Sequence, residues 1–233
     1  MSEVTTRRGR LRAETAAEIK AVALRALTEN GPAGISLRAI ARDMGMTAGA
    51  IYSYFDTRDA LITALMIDIH NSLADAELAA FAAAPADDPG AQLSAIAMAY
   101  RDWAVANTAE FQLIYGDPIP GYRMPPDGPA REAAHRACAL LTNVVALGWQ
   151  DAAATEASGA VAWSDLDPVL ADEVRSAHPD LPPEALALSI RLWARIHGLV
   201  TLEIYGHLTN LTINPATVFT ADVHAMTTTL NWT

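Results

Sequence analysis

Cysteine is almost missing: Cys138 stands alone in 233 residues. That excludes a disulfide framework and suits a reducing cytoplasm. Long uncharged apolar runs are missing too, and none reaches the roughly 18–20 residues of a membrane span. The N-terminus carries arginines with no apolar segment behind them, so no secretory signal is expected. No Gly-x-Ser-x-Gly elbow, phosphate-cradling glycine loop, zinc-type His/Glu helix or paired-acid constellation occurs, which argues against an enzyme and against a cofactor. His135 and Cys138 lie one helical turn apart, but two ligands without a second pair do not make a metal site. A soluble, cytoplasmic, non-enzymatic protein without a membrane partner is expected.

What is present favours helices. Apolar residues make up 52% of the chain, with Ala and Leu dominant, and such side chains lose little freedom in a helix. The net charge of −11 is unevenly spread. Residues 1–60 hold nine Lys and Arg against seven Asp and Glu, a net of +2, and residues 61–233 carry a net of −13. Arg7, Arg8, Arg10 and Arg12 crowd the first twelve residues. A basic end on an acidic body suits one DNA-facing surface, although a disordered basic tail would look the same.

The helical period of 3.6 predicts helices over Leu11–Asn30, Ser36–Asp43, Thr47–Ser53 and from Asp56 or Thr57 to about Ala84. Further helices are expected near 89–107, 109–115, 129–156, 167–177, 183–207 and 215–230. Asp88-Pro89, Asp167-Pro168 and Asn214-Pro215 each read as a capping residue before a proline at the first helical position. Gly31-Pro32 ends the first helix. The stretch Gly116–Pro129 holds five prolines; it reads either as a lid beside a pocket or as a plain surface connection. The fold class is all-α.

Ser36 to Phe55, SLRAIARDMGMTAGAIYSYF, is the most informative segment. Two short helices flank a glycine turn, the plan of a helix-turn-helix. Gly45 permits the positive φ of the turn. The small residues Thr47, Ala48, Gly49 and Ala50 let the second helix's N-terminus approach the floor of a major groove. On Ser36, Arg38, Ile40, Ala41, Gly45, Thr47, Gly49, Tyr52, Phe55 and Arg58, in order and spacing, the chain resembles the TetR family of transcriptional regulators. The resemblance covers roughly residues 11–70, with Arg58 in place of the more usual Lys. It implies an N-terminal three-helix, homeodomain-like unit followed by a helical ligand-binding and dimerisation domain, in an Ω-shaped dimer. It implies phosphate contacts for Ser36 and Arg38, a DNA contact for Leu37 between them, base contacts for Thr47, Ala48, Gly49 and Ala50, and backbone contacts for Tyr52, Tyr54 and Arg58. At Ala48 a thymine-methyl contact is expected. The competing reading makes Tyr52, Tyr54 and Phe55 cement for the three-helix core, which is preferred for Phe55 alone. The implied organisation is a basic arm at 1–10, a DNA-binding domain at 11–56 and a ligand-binding and dimerisation domain at 57–233.

Further along, Trp193, His197 and Gly198 resemble the Trp-His-Gly motif of a C-terminal domain found in a subset of the same family. Gly198 reads as a point of close helix approach, and the helices near 183–207 and 215–230 as the homodimer bundle. His197 reads as a hydrogen-bonded core residue or as a ligand contact. Tyr100, Trp103, Tyr115, His135, Trp149, Trp163 and His197 are the candidate lining of an effector pocket. Basic residues are sparse there, so the expected effector is apolar, neutral or cationic. The function expected is a ligand-responsive repressor released from a palindromic double-stranded operator. An enzyme lacks its motifs, and a protein-binding helical module would be marked by loss of Arg38, Tyr52 or Arg58, all of which are present.

Overall fold

The computed structural model describes residues 6–31, 34–125, 127–156 and 161–232, and of 137, 138 and 154–156 the backbone alone. Pro32 and the Cys138 side chain, both invoked above, lie outside it. The described chain is all helical: α1 (Arg7–Asn30), α2 (Leu37–Asp43), α3 (Ala48–Tyr52), α4 (Arg58–Ala83), α5 (Pro89–Ala106), α6 (Thr108–Tyr115), α7 (Pro129–Glu156), α8 (Pro168–Ala177), α9 (Pro183–Ile204) and α10 (Pro215–Thr229), with a short 3₁₀ turn at Trp163–Asp165.

The three Asx-Pro signals are genuine helix starts. Asp88 accepts the Ala91 N–H at 2.7 Å, Asp167 those of Val169 and Leu170, and Asn214 that of Thr217. Each satisfies donors that a helix start leaves orphaned. Ser36 differs: its side chain makes no capping bond. The first helix starts at Arg7 rather than Leu11, because Thr6 caps it by accepting the Gly9 N–H at 3.2 Å. Arg7, Arg8 and Arg10 are therefore helical and not part of a separate arm.

Contacts divide the chain into two compact units. One joins Met1–His70 with Asn107–Glu132, the other Asn71–Ala106 with Ala133–Thr233. The expected division after residue 56 places α6 and the proline-rich stretch in the C-terminal domain, whereas their contacts are with the N-terminal unit. There α1 packs on α2 and on α6. Ile19, Ala23 and Leu27 supply the buried face of α1, Ile40 and Ile51 those of α2 and α3, and Phe111 that of α6. The proline-rich stretch is fastened within this unit. Ile119 is buried, and the Tyr122 hydroxyl lies 2.9 Å from that of Thr63 on α4.

In the second unit α5 packs on α9 and α10, which also pack on each other. Helix α9 is long and apolar enough by composition to cross a membrane, yet it is amphipathic, with Leu186, Leu192, Ile196 and Val200 buried and Arg191 and Arg195 exposed. Trp232 is locked in place. Asn231 adopts φ 58, the Trp232 N–H returns to the Thr227 carbonyl at 2.9 Å, and the indole N–H donates to the Gly148 carbonyl at 2.8 Å. A Cβ on Gly148 would stand 2.4 Å from the indole, and one on Gly90 would stand 1.8 Å from the Trp232 carbonyl oxygen. Both glycines are thus required by this anchor. Gly148→Ala is expected to lower unfolding free energy by about 1–3 kcal/mol through overpacking, and Trp232→Ala by about 3–5 kcal/mol through the cavity it leaves. Urea denaturation of the two variants checks both.

Candidate nucleic-acid interface

The turn between α2 and α3 follows from backbone chemistry. Gly45 takes φ 64, the Met46 N–H bonds the Ala41 carbonyl at 2.8 Å and the Gly45 N–H that of Arg42 at 3.1 Å. This nested pair satisfies carbonyls that the end of α2 would otherwise orphan, and the left-handed residue between them favours glycine. Thr47 then caps α3 by accepting the Ala50 N–H at 3.2 Å. Thr47, Ala48 and Gly49 are exposed and Ala50 half-buried, while Ile51 is fully buried. One face of this short helix therefore grips the unit, and its N-terminal end faces outward.

Not every residue expected at this surface is available there. Leu37 is only 4% exposed; it belongs to the core with Ile40 and Ala41, and its assignment to DNA contact is corrected on that ground. Arg38 is exposed, and Tyr52 is 40% exposed. Tyr54 is half-buried beneath Arg12, whose guanidinium carbon lies 4.9 Å from the ring centre. Arg12 also donates to the Ser53 carbonyl at 2.5 Å. Sequence reasoning placed Arg12 in a bulk charge and missed this docking of α1 on the end of α3, which spans a separation no local pattern reveals. Arg58 donates through Nε to the Ile35 carbonyl at 2.9 Å, tying the start of α4 to the segment before α2. Arg42, beside Arg38 on the exposed side of α2, was also missed.

The N-terminal turns of α1 carry Arg7, Arg8 and Arg10, with no acidic residue in the first turn. Cations at the positive end of the helix dipole are unfavourable by a few tenths of a kcal/mol each. Anions such as phosphates relieve that repulsion, and the arginines are exposed to meet them.

The residues proposed for one effector pocket do not gather. Tyr115 sits in the N-terminal unit, 5.2 Å from Phe111 and 5.9 Å from His70 between ring centres. Tyr100 on α5 has its hydroxyl 2.7 Å from Nδ1 of His197. The other nitrogen of His197 is 3.2 Å from the Thr201 hydroxyl, and Trp193 stacks on its ring at 4.9 Å. Burial lowers the His197 pKa. Trp103 donates to the Ser72 hydroxyl. Trp149 and His135 line separate recesses beside α8, and Trp163 lies in the 3₁₀ turn with the Arg175 guanidinium over it. Gly198, expected to admit a close helix, has nothing within 4 Å of where a Cβ would be. Sequence reasoning also missed two buried ionisable groups on α4. Desolvation brings His70 down to about 4 and Glu77 up to about 8. Oε2 of Glu77 is buried with no hydrogen-bond partner.

Comparison with known proteins gives a consistent picture. Residues 19–65 match the family described as bacterial regulatory proteins, tetR family, and residues 93–226 match the tetracyclin repressor-like C-terminal domain. The chain is 34% identical over 223 residues to the HTH-type transcriptional regulator Rv1816 of Mycobacterium tuberculosis, covering 92% of each. It has the same identity and coverage with Mb1846 of Mycobacterium bovis, also named an HTH-type transcriptional regulator. The crystal structure of the regulatory protein SCO4313 superposes with a TM-score of 0.73 at 34% identity, covering 94% of this chain and 98% of that one.

Glu77 makes stability depend on pH with a definite sign. An acid whose folded pKa is raised to about 8 from 4.5 binds its proton more tightly when folded. Its contribution is therefore least unfavourable below pH 4.5 and worsens as pH rises toward 8, by at most about 1.4 kcal/mol per pH unit. His70, lowered to about 4 from 6.5, acts in the other direction and destabilises as pH falls below 6.5. Glu77→Gln is expected to raise the melting temperature more at pH 8 than at pH 5.5. An equal gain at both would show that the acid is not held neutral.

Proposed function

Because this chain belongs to the TetR family of bacterial regulatory proteins, and is thus a transcriptional regulator with a DNA-binding domain and not an enzyme, we propose that it is a cytoplasmic repressor released from a palindromic operator by a small apolar molecule. The observation that carries the DNA half of this reading is the exposed, Thr47-capped start of α3 flanked by exposed arginines. Thr47, Ala48, Gly49 and Ala50 face bases; Ser36, Arg38, Tyr52 and Tyr54 hold phosphates, and the Arg58 clamp to Ile35 fixes the helix pair on which they are mounted. Arg12 and Arg42 join the phosphate set. The effector is apolar, neutral or cationic.

A single helix-turn-helix reads few base pairs, so a two-fold dimer on a palindrome follows. Support for α9 and α10 as the dimer surface lies in their outer faces. Ile190 and Leu202 on α9 and Val218 on α10 are each more than 40% exposed. A groove of about 240 Å³ runs between the two helices, lined by Leu188, Leu192, Met226 and Leu230 with Arg191 and Arg195. Arg195 is held there by Asp222 through contacts of 2.8 and 2.5 Å. The open space at Gly198 would admit the partner's helix, in keeping with the Trp-His-Gly motif.

Two measurements test this reading. Arg38→Ala is expected to weaken binding to the chain's own upstream region and to unrelated DNA alike, reducing the slope of log affinity against log salt by about 1. Changes at Thr47 or Ala50 should alter which sequence is preferred. An unchanged salt slope for Arg38→Ala would remove Arg38 from the phosphate set. Ile190→Asp, on an exposed position, should leave the circular dichroism spectrum unaltered while sedimentation shows monomers and operator affinity falls at least ~10-fold, about 1.4 kcal/mol. A persistent dimer would move the interface elsewhere.

A further inference from the structure

Three recesses in the second unit form one row. The first, about 180 Å³, is bounded by His135, Ala139, Thr142 and Asn143 of α7 and by Leu170, Glu173, Val174, Ala177 and His178 in and after α8. It shares Ala177 and His178 with a second of about 310 Å³, which continues along α7 past Ala146 to Trp149 and Gln150 and ends at Asp180. It shares Thr142 and Leu170 with a small third of about 40 Å³, bounded by Leu141 and by Leu186, Ser189 and Trp193 of α9, with the half-exposed Ile190 at its rim. On α7 the lining positions 135, 139, 142, 146 and 149 recur at helical spacing, so they form one stripe roughly 21 Å long. Leu170, Val174 and Ala177 form the facing stripe of α8. The space between the stripes is a trough.

We infer that this trough beneath α8 is a ligand site for an elongated, mainly apolar molecule bearing an amine. The inference rests on the effector reading above and narrows that effector to this trough, where His135 and Trp149 alone of the expected lining are found. Its walls are aliphatic along the middle, which selects an apolar body. Its polar groups are placed at intervals: His135 with Glu173 at 3.5 Å, His178 bonded to Asn143 at 2.9 Å, and Asp180 beyond Trp149. Among the described residues no Lys or Arg lines any of the three recesses. The neighbouring arginines are engaged elsewhere. Arg136 binds Asn71 and Asp75 at 2.6 and 2.7 Å, and Arg175 pairs with Asp172 and covers Trp163. A carboxylate or phosphate entering the trough would find carboxylates and no cation among the described lining, whereas an ammonium would gain Glu173 or Asp180 as counter-ion and Trp149 as an aromatic face. The recess between α9 and α10 offers the opposite chemistry, with two arginines.

The test compares decylamine with decanoate, which share an apolar chain and differ in head charge. Full-length protein is titrated with each while tryptophan fluorescence and melting temperature are followed, and operator binding is measured alongside. Decylamine is expected to shift both signals and to bind at least ~10-fold more tightly than decanoate. Leu170→Trp and, independently, Ala139→Leu fill the trough and should abolish the decylamine shift while leaving operator affinity of the free protein unchanged. Glu173→Gln should narrow the preference for the amine. Equal binding of the two probes, or decylamine binding undiminished in both filled variants, overturns the site. Saturable, trough-dependent amine binding with no operator binding in any state would support the site while removing the repressor reading, so the two claims fail separately.

Discussion

Two consecutive residues of α5 hold the helical body together, and most of what the C-terminal unit presents follows from them. Tyr100 reaches His197, and Arg101 grips Glu203 through two contacts at 2.8 and 2.5 Å. Both targets lie on α9, less than two helical turns apart. The ion pair is largely buried, with side-chain exposures of 11% and 17%, so its geometry has to be good enough to offset the loss of hydration. The fork-to-carboxylate arrangement provides that. Removing Arg101 leaves the Glu203 carboxylate buried without its partner, a loss on the order of 3–5 kcal/mol; removing Glu203 leaves Arg101 only the longer ion pair with Asp102 at 3.6 Å. With one face of α9 committed to α5 and α10, its opposite face is left outward with Ile190 and Leu202 on it. The apolar surface proposed for pairing is therefore a consequence of where the polar clamps are set.

The acidic balance of the body has a parallel effect. The charge of −13 beyond residue 60 repels a polyanion, so non-specific association through the body is disfavoured and the arginine-bearing residues 1–60, with a net of +2, are left as the approach surface. Locally the same bias appears in the trough beneath α8, whose titratable lining consists of imidazoles and carboxylates.

Features set by neighbours in sequence were legible before the structure. The Asx-Pro starts are read within three residues, and the Gly45 turn within five, because the bonds that make them are that local. Features set by packing between distant segments were not. Leu37 is not one of these: its i, i+3, i+4 spacing with Ile40 and Ala41 already marks an inward face, which the structure buries. The aromatic residues of the middle helices share a composition but not a place, since Tyr115 is carried off to the N-terminal unit with α6 and Trp163 to a 3₁₀ turn. The Trp232 anchor was missed altogether, because its partners Gly90 and Gly148 are separated from it by most of the domain.

Those glycines allow a finer argument about which small residues serve the fold and which serve something outside it. Gly45 is needed for its positive φ, and Gly90 and Gly148 because a Cβ would collide with Trp232. Gly49 and Gly198 meet neither condition: each lies in a helix with ordinary φ, and a Cβ at either would enter open space. A glycine in a helix interior costs about 1 kcal/mol relative to Ala, which applies in full at Gly198 inside α9 and less at Gly49 in the first turn of α3, and no contact among the described residues offsets it. Both lie on surfaces proposed to meet another molecule, Gly49 on the DNA-facing end of α3 and Gly198 on the proposed dimer helix. On the proposed function, a close approach by DNA in one case and by a partner helix in the other would supply the missing compensation. An alanine tolerated by the isolated fold should then act on binding at Gly49 and on assembly at Gly198.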